Sequence, residues 1–523
     1  MALKKGRPAP AASHGRSGQP ARGPALARAT PPTGQPALPR EWLLLAALSA
    51  GLFVTRTHAA KLVGFGDSEA LYACYALHPA PAYLDHPGLV GHVARALGAG
   101  QAPTPSATHA FTAVLATLVP GVAAACARAC GASLRAAAGV GLVALATPML
   151  SIGLFALTPD LLLAPLWLLA LGLGVFAARE GDSWRGDLGW LALGLVAGVA
   201  TWAKASGALL FGVIGAFQLL GPRAARRPFA AWGVLVGLLV ASPLALHQAT
   251  NGFPMLRHRL LDTQTGLPLV RGLGALTIGQ LAYLSPVIAW LGVAAMRASY
   301  KSRHATEPGE RFLALACLVP GAALASFMLA SRQAEPHWLG PAWLGAPVLL
   351  AVQSAAGADR VRSRSVSTAI AVAALFTVAG HAWVLSPRFL ASMPASYEPR
   401  FDIANELYGW PRALEAVAEA AEPGDVIVGP HWTICAQLHA GQRNPVGCAT
   451  PIRDDFDAWL PRAEWARAPR VLFVTDNRFS VNASDVLPGY MRVQERHISI
   501  FRGGRRVRVF AITTLERSAH AVR

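Results

Sequence analysis

Eleven apolar runs follow one another along the sequence, and this succession limits the fold more than any other feature. Each run approaches the roughly 20 residues that a helix needs to cross a bilayer. The runs lie at 41–56, 107–127, 136–155, 159–178, 187–203, 205–221, 229–249, 272–296, 312–330, 338–355 and 366–386. Only 14% of the residues are charged, against about 25% in soluble domains. The sequence therefore predicts a mainly α, polytopic membrane protein with about 11 (9–13) transmembrane helices, some of them short or broken.

Basic residues are concentrated in alternate loops between these runs. With the N-terminus inside, the inside loops carry Arg128 and Arg135, Arg179 and Arg185, Arg223, Arg226 and Arg227, Arg297, Lys301, Arg303 and Arg311, and Arg360, Arg362 and Arg364. This is the positive-inside pattern, and it explains a net charge of +18 without a nucleic-acid partner. The predicted outside segments are 57–106, 156–158, the junction at Lys204, 250–271, 331–337 and everything after 386. Of these, 250–271 is basic against the rule.

Three parts of the chain differ in composition. Residues 1–39 are rich in Pro, Ala, Gly and Arg without the apolar core of a signal peptide, which predicts a disordered cytoplasmic tail. Residues 40–386 hold the apolar runs and form the predicted transmembrane domain. Residues 399–523 contain a helical pattern after Gly409, the strand-like "DVIVG" and "RVLFVTD", and a hairpin turning at Gly503 and Gly504. This last part is predicted to be a small α/β extracytoplasmic domain.

The first outside loop, 57–106, is too long for a simple connection and is expected to be functional. It is predicted to contain two short surface helices at about 68–78 and 87–98. Two cysteines, Cys435 and Cys448, fall in the C-terminal outside part, where either a disulfide or two buried thiols fits the sequence. Walker loops, zinc-type Cys/His clusters and serine-hydrolase elbows are missing from the sequence, so nucleotide-driven transport has no support.

Unusual polar residues converge on the predicted outside face. These candidate site residues are Asp67, Glu69, Tyr83, Asp85, His86, Asp160, Lys204, Arg257, His258, Arg259, Glu335 and His337. Each also has a purely structural interpretation. Asp160 follows Thr158 and Pro159 at a predicted helix start, and Asp85, Glu335 and His337 are suited to capping the ends of helices. Lys204 is also typical of a helix-end lysine whose ammonium group snorkels to the membrane interface. The 257–259 cluster is also typical of a segment that binds anionic lipid head groups.

Carboxylates and cations at one membrane face suit transfer of a sugar from a lipid phosphate. The phosphate is a good leaving group that needs cations for its developing charge, and Lys204 with Arg257, His258 and Arg259 supplies them. The attacking hydroxyl needs one general base, for which Asp67 or Glu69 suffices. Attack from the face opposite the phosphate would invert the anomeric carbon.

These residues stand in motifs that resemble the GT-C superfamily of polyprenyl-phosphate-sugar glycosyltransferases. The similarity is to the bacterial relatives of dolichyl-phosphate-mannose protein mannosyltransferases and to lipid A aminoarabinose transferases. It rests on "GDSEALY", "YLDHPG", "TPDLLLAPLWLLAL", "GLVAGVATWAKASGALL", "EPHWLGPAW" and "YGW", in this order over most of residues 41–460.

The resemblance implies roles for individual residues. It makes Asp67 the catalytic base or its neighbour, with Glu69 beside it, and places Tyr83, Asp85 and His86 in the wall of the sugar-phosphate cavity. Lys204 becomes a contact to the lipid phosphate. The family commonly shows adjacent acids where this chain has Asp-Ser-Glu, so the base is either Asp67 or Glu69. Many members also carry a second proline at the position of Gly88, which leaves the following turn undefined.

The predicted function is that of an inverting glycosyltransferase in a bacterial plasma membrane, acting at its outer face. The partners are a polyprenyl-phosphate-linked sugar, the lipid bilayer and a hydroxyl acceptor on a lipid, glycan or protein. The alternative is a transporter or flippase for lipid-linked sugars, which would spread polar residues through the membrane depth. No cofactor is required. Some relatives bind a divalent metal, for which His86, His337 and the carboxylates offer N and O ligands without a spacing that demands one.

Overall fold

The computed structural model describes residues 39–264, 268–301, 307–355 and 360–518. The predicted cytoplasmic tail therefore lies outside the described residues, except for Pro39. Helices dominate up to residue 391, and a five-stranded sheet with short helices follows. The chain is thus mainly helical with a small C-terminal α/β part, as the sequence predicts.

The helices of the apolar part are numbered in chain order. They are α1 Arg40–Ala59, α2 Asp67–Tyr75, α3 Leu89–Leu97, α4 Pro105–Ala129, α5 Leu134–Ala146, α6 Pro148–Ser151, α7 Pro159–Glu180, α8 Trp184–Ala203, α9 Leu209–Leu220, α10 Ala230–Thr250, α11 Pro254–Arg257, α12 Pro268–Gly274, α13 Gln280–Leu284, α14 Pro286–Lys301, α15 Pro308–Ala330, α16 Gly340–Ala355, α17 Arg360–Leu385 and α18 Pro387–Ala391. Each of the eleven apolar runs lies mainly in helix, and α2 and α3 confirm the two helices predicted in the 57–106 loop.

Among the described residues, seven helices are long and apolar enough to cross a membrane, and a bent pair makes up to eight. They are α1, α4, α7, α8, α10, α15 and α17, with the bent pair running from Leu269 to Lys301. This pair bends by 109° at Ser285, whose φ is 82°. Several other runs form shorter helices, such as Leu134–Ala146. The protein is a multi-pass membrane protein, and the predicted count of eleven spans is not confirmed.

The break between α8 and α9 sets the position of Lys204. Lys204 is extended, with φ of −155° and ψ of 142°, and is followed by a 3₁₀ turn, Ala205–Ala208. Gly207 packs directly on α8, because a Cβ there would lie 2.2 Å from the carbonyl carbon of Ala200. Only glycine allows the chain to turn back so closely. Lys204 therefore leaves the helix end sideways into the protein, where it is buried.

The C-terminal part contains a mixed sheet in the order β2-β1-β3-β5-β4. Its elements are α19 Trp410–Ala420, β1 Val426–Gly429, α20 Trp432–Gly441, β2 Val446–Cys448, α21 Phe456–Trp459, α22 Arg462–Trp465, β3 Arg470–Asp476, α23 Ala483–Val486, β4 Tyr490–Arg502 and β5 Arg505–Arg517. β1 pairs in parallel with β2 and β3, whereas β5 is antiparallel to β3 and β4. The predicted strands and the hairpin at Gly503 and Gly504 are confirmed, but β2 and α20 were not predicted.

The sheet is tied to the 57–106 loop through α20, which packs on α2. The Gln437 side chain donates to the carbonyl of Phe65 at 2.8 Å, and the Cys74 thiol contacts the Ala436 carbonyl at 3.2 Å. His78 and His439 meet at 2.8 Å between their Nε2 atoms. The start of α2 therefore lies at the junction between the helices and the α/β part.

Candidate active site

Lys204 forms a buried ion pair with Asp160. The Nζ atom donates to both carboxylate oxygens, at 2.7 Å and 2.9 Å. Asp160 begins α7 behind Thr158, whose hydroxyl caps the helix by accepting from the Leu161 N–H. Asp160 therefore lies in the first turn of α7, as its helix-start interpretation predicts, and also pairs with Lys204. Snorkelling does not describe Lys204, because its side chain is only 9% exposed.

Asp85 forms a second ion pair with Arg259. The Arg259 guanidinium lies 3.0 Å from the Asp85 carboxylate, and His258 Nε2 lies 3.5 Å from the same oxygen. Burial alone would raise the pKa of Asp85, but the hydrogen bond to His258 and the charge of Arg259 hold it well below its ordinary value. Asp85 is thus ionised, and it links the 57–106 loop to the π-helical turn His258–Asp262.

The two ion pairs are neighbours. Burial and then the charge of Arg259 lower the pKa of His86 to about 3, and Asp85, Lys204 and Asp160 act on the same imidazole. Burial and the charge of Lys204 lower the pKa of His337 to about 4, and its Nε2 lies 4.0 Å from Asp160. We name these six residues the phosphate cluster, after the role that is proposed for them below: Asp85, His86, Asp160, Lys204, Arg259 and His337. They come from five separate segments, with His258 adjoining them.

A small cavity of about 20 Å³ opens beside Asp160 and His337. Tyr283 of α13 also lines it. Because Asp160 and His337 are among its lining residues, this cavity adjoins the phosphate cluster.

Asp67 lies at the start of α2 and pairs with a residue that the sequence analysis missed. Arg478, in the loop after β3, donates to Asp67 Oδ2 at 2.7 Å. The same guanidinium binds Asp476 at 2.9 Å and lies 3.7 Å from Glu406. Asp67 is therefore buried between α2 and the C-terminal part rather than within the phosphate cluster.

Glu69 is fully engaged with other parts of the fold. Its Oε2 lies 2.8 Å from His109 Nε2 in α4, and its Oε1 accepts from the Leu157 N–H at 2.7 Å. Glu69 and His109 are both buried. With both carboxylate oxygens bonded, Glu69 ties α2 to α4 and to the turn before α7.

We expect Glu69→Ala to destabilise the protein by about 3 kcal/mol, because it leaves a buried imidazole and a buried N–H without partners. The free energy of unfolding, measured by urea titration in detergent, checks this. Glu69→Gln keeps an acceptor for the Leu157 N–H and should lose less. Equal stability of wild type and Glu69→Ala would contradict this assignment.

The other predicted site residues lie apart from the phosphate cluster or serve the fold. Tyr83 stacks on Tyr75 with ring centroids 3.5 Å apart, and its hydroxyl lies within hydrogen-bond distance of the backbone carbonyls of Tyr75 and His78. Arg257 is largely exposed and lies 3.8 Å from Asp262. Glu335 pairs with Arg271 at 3.1 Å, and both are about half exposed. These three contacts are local and do not reach Asp160 or Asp85.

Further residues near the site had no motif in the sequence. Arg478, Glu406, Asp455, His109 and Tyr283 belong to this set. Asp455 accepts from the Tyr75 hydroxyl at 3.0 Å and from the Leu84 N–H at 3.1 Å, beside the Asp-His-Pro segment. One signal was available: Arg478 follows the predicted strand "RVLFVTD", and side chains at the carboxyl ends of parallel strands often bind ligands.

Glu406 provides a test of the electrostatics around Asp67. Burial and then the charge of Asp67 raise the pKa of Glu406 from 4.5 to about 7. Between these pH values the folded protein holds a proton that the unfolded chain has lost, so this group makes the free energy of unfolding fall as pH rises. We expect thermal unfolding scans from about pH 5 to about pH 8 to show a smaller fall for Glu406→Gln than for wild type.

Asp454 and Asp455 also have raised pKa values, of about 7 and about 6, and both groups remain in the Glu406→Gln variant. The difference between the two proteins therefore isolates Glu406. Identical pH dependence in both would show that the pKa of Glu406 is not raised in the folded protein.

No group of three or more His, Cys, Asp or Glu side chains arranged for a metal ion occurs among the described residues. The nitrogen and oxygen ligands suggested by the sequence are instead engaged in ion pairs, as Asp85 and Asp160 show. That no metal is required stays a prediction.

Comparison with known proteins gives the class of this fold. Residues 104–247 match the family model of dolichyl-phosphate-mannose-protein mannosyltransferases. ArnT from Cupriavidus metallidurans in the apo state matches with a TM-score of 0.60 and 17% identity, over 90% of this chain and 97% of that chain. Its complex with undecaprenyl phosphate gives a TM-score of 0.58 at the same identity and coverage. A search of curated protein sequences gave no match.

A more distant match extends the same class. The Archaeoglobus fulgidus oligosaccharyltransferase in complex with Zn and sulfate has a TM-score of 0.51 and 14% identity, over 83% of this chain and 67% of that chain. The chain therefore shares the fold of ArnT and of this oligosaccharyltransferase. The resemblance predicted from the motifs is confirmed, with the mannosyltransferase-like segment at residues 104–247.

Proposed function

We propose that the protein is an inverting glycosyltransferase that moves a sugar from a polyprenyl-phosphate donor to a hydroxyl acceptor. The observation that carries this proposal is the phosphate cluster, in which Lys204, Arg259 and two histidines from distant segments surround two partly exposed carboxylates. The GT-C fold supports it, since ArnT of the same fold is known in complex with undecaprenyl phosphate. A mannosyltransferase family match over residues 104–247 points the same way.

The phosphate cluster suits the leaving group. As the bond between the anomeric carbon and the phosphate oxygen breaks, its electron pair passes to the phosphate, and preorganised cations stabilise that charge. Lys204 and Arg259 are held in place by Asp160 and Asp85, so little reorganisation is needed. Arg259 is 31% exposed, which leaves part of its guanidinium accessible to a ligand.

Asp67 is the proposed general base. It accepts the proton of the acceptor hydroxyl while the hydroxyl oxygen attacks the anomeric carbon from the face opposite the phosphate. Asp67 precedes Tyr72 by five residues in α2, and Tyr72 packs against His86 of the phosphate cluster at 5.5 Å between ring centroids. Five residues span about 7.5 Å of helix. This separation leaves room for the sugar between base and phosphate, whereas Glu69 is a structural residue.

The proposed topology places this site at the outer face of a bacterial plasma membrane. Residues 40–386 form the transmembrane domain, with the N-terminus inside, and 399–523 form the extracytoplasmic α/β domain. Loop charge alone assigned Asp85, Asp160, Lys204, Arg259 and His337 to one side, and in the structure these residues contact one another or share neighbours. Reporter fusions at Gly100 and Gly441 should indicate outside, and one at Gly181 inside.

Two thiols provide a further test of that location. Cys435 and Cys448 are free and buried, and their Sγ atoms lie 2.7 Å apart. In an oxidising compartment so close a pair is expected to form a disulfide. Protein from whole cells, denatured and alkylated without reductant, should then show both cysteines unlabelled by mass spectrometry, with Cys317 of α15 labelled as control. Full labelling of all three would argue for a reducing compartment.

The activity itself is tested by mass spectrometry of cells with and without the protein. Loss of the protein should leave one polyprenyl-phosphate sugar in excess and remove one sugar from an envelope lipid, glycan or protein. Purified protein should release polyprenyl phosphate from the accumulated donor only when acceptor is present. Unchanged envelope sugars and no release of polyprenyl phosphate would reject the proposal.

A further inference from the structure

In the ion pair between Asp67 and Arg478, only one carboxylate oxygen and one terminal guanidinium nitrogen contact each other. The two residues are 411 positions apart, and one contact joins them, from a terminal guanidinium nitrogen (NH1) to Asp67 Oδ2 at 2.7 Å. Asp67 Oδ1 and the other terminal nitrogen (NH2) of Arg478 are both buried without a hydrogen-bond partner in the part of the chain that the structure describes. Arg–carboxylate pairs are frequently bidentate, and a buried polar atom without a partner is costly. One acceptor and one donor of the same ion pair are thus left open.

Arg478 is held firmly on the sheet. Its Nε donates to Asp476 Oδ2 at 2.9 Å, and its backbone N–H donates to Asp476 Oδ1 at 2.9 Å. Asp476 is buried at the end of β3. Phe479, the next residue, stacks on His431 with ring centroids 3.8 Å apart. Because the planar guanidinium is bound at Nε, it cannot turn to close the second contact to Asp67 without leaving Asp476.

The open atoms lie at the edge of the sheet where ligands are expected. β1 and β3 are parallel, and their carboxyl ends lead into His431 and Arg478. In open sheets with parallel strands, ligands bind outside these carboxyl ends. Here the start of α2 covers the edge, so a ligand at the edge would contact Asp67.

A hydroxyl group satisfies both open atoms, since it donates one hydrogen bond and accepts others. Resting on the proposed function, we propose that the acceptor hydroxyl binds between Asp67 Oδ1 and Arg478 NH2. It donates its proton to Oδ1 and accepts from NH2, and its remaining lone pair forms the bond to the anomeric carbon as the phosphate leaves. Arg478 thereby becomes an acceptor-binding residue supplied by the C-terminal part.

A purely structural tie between Arg478 and α2 would have different consequences. Arg478→Lys keeps a positive charge that can pair with Asp67 Oδ2, but it lacks the second fixed N–H of the guanidinium. If Arg478 only joins the two parts, Arg478→Lys changes stability and leaves the KM for acceptor unchanged. If Arg478 binds the hydroxyl, the KM for acceptor rises about tenfold, as for one lost hydrogen bond, with little change in kcat.

Arg470 offers a matched control at the opposite end of the same strand. It pairs with Asp425 and with Glu422, at 3.3 Å for the latter, away from Asp67. Arg470→Lys therefore perturbs an ion pair of the same sheet without touching the open atoms. Its KM and kcat should equal those of wild type.

The experiment uses the full chain in detergent, with a cellular lipid extract containing polyprenyl-phosphate sugars as donor. The envelope fraction of cells that lack the protein, containing their lipids, glycans and proteins, is titrated as acceptor, and released polyprenyl phosphate is measured by mass spectrometry. We expect a raised KM for Arg478→Lys and a fall in kcat/KM of about 100-fold or more for Arg478→Gln. Should Arg478→Gln not fold, Arg478→Lys and Arg470→Lys decide the question. Active wild type with an unchanged KM in Arg478→Lys overturns this inference alone, whereas inactive wild type overturns the proposed function and this inference with it.

Discussion

Asp67→Asn is expected to lower turnover by about 10²–10⁴-fold, the usual contribution of a general base. The amide keeps the size of the side chain but cannot take the proton of the acceptor hydroxyl. Because Asp67 lies apart from the phosphate cluster, binding of undecaprenyl phosphate should remain at the wild-type level. Release of polyprenyl phosphate by purified variant and wild type, at saturating donor, measures the effect.

Asp187→Asn is the matched control for this variant. Asp187 also lies in the first turn of a helix, α8, and its carboxylate pairs with Arg227 at 3.1 Å. The control therefore breaks a comparable ion pair outside the site and should retain wild-type turnover. If Asp67→Asn and Asp187→Asn have the same turnover, Asp67 is not the general base.

Lys204→Ala is expected to reduce both stability and turnover. The substitution leaves Asp160 partly buried and unpaired, which should lower the free energy of unfolding by about 3 kcal/mol. Loss of one preorganised cation at the leaving group should lower kcat by about 100-fold. Both effects are measured on the same purified protein, by urea titration and by release of polyprenyl phosphate.

A double variant separates the two contributions. Lys204→Ala with Asp160→Ala removes the lone carboxylate, so stability should recover while turnover stays low. Arg179→Ala is the control on α7, the helix that carries Asp160. Arg179 lies in the last turn of α7 and pairs with Glu307 at 2.7 Å, and the two side chains are 33% and 45% exposed. That change should cost less than about 1 kcal/mol and leave turnover intact. Wild-type turnover in Lys204→Ala would indicate that Arg259, and not Lys204, contacts the phosphate.

Much of the fold was predictable because its signals are local. Apolar runs of bilayer length predicted the long helices between α1 and α17, and the two short helices predicted in the 57–106 loop lie within three residues of their predicted ends. One of them, α2, is buried in the fold rather than exposed at a surface. The Gly503–Gly504 turn lies where φ is positive at both residues, 57° and 75°, as a tight hairpin turn requires. In contrast, the apolar run at 272–296 did not predict whether this segment forms one straight span or a bent pair of helices. The bend at Ser285 depends on tertiary packing.

The candidate site was predicted only in part. Asp85, His86, Asp160, Lys204, Arg259 and His337 were found because charges beside membrane helices are costly and therefore conspicuous in the sequence. The partners of Asp67 and Glu69 could not be found, because Arg478 and His109 stand in segments where an arginine or a histidine is ordinary. Composition carries no information about which of these pairs meet.

By itself, the sequence determined that this chain is a multi-pass helical membrane protein with an α/β part at its C-terminal end. These features were predictable because hydrophobic periodicity and loop charge depend only on residues that are close together in the sequence. The tertiary structure alone decided which charges share a site. It brought together Lys204 with Asp160 and Arg259 with Asp85, and it joined Asp67 to Arg478 across 411 residues. Burial makes an unpaired charge expensive, so these pairings follow from the packing of distant helices and the sheet.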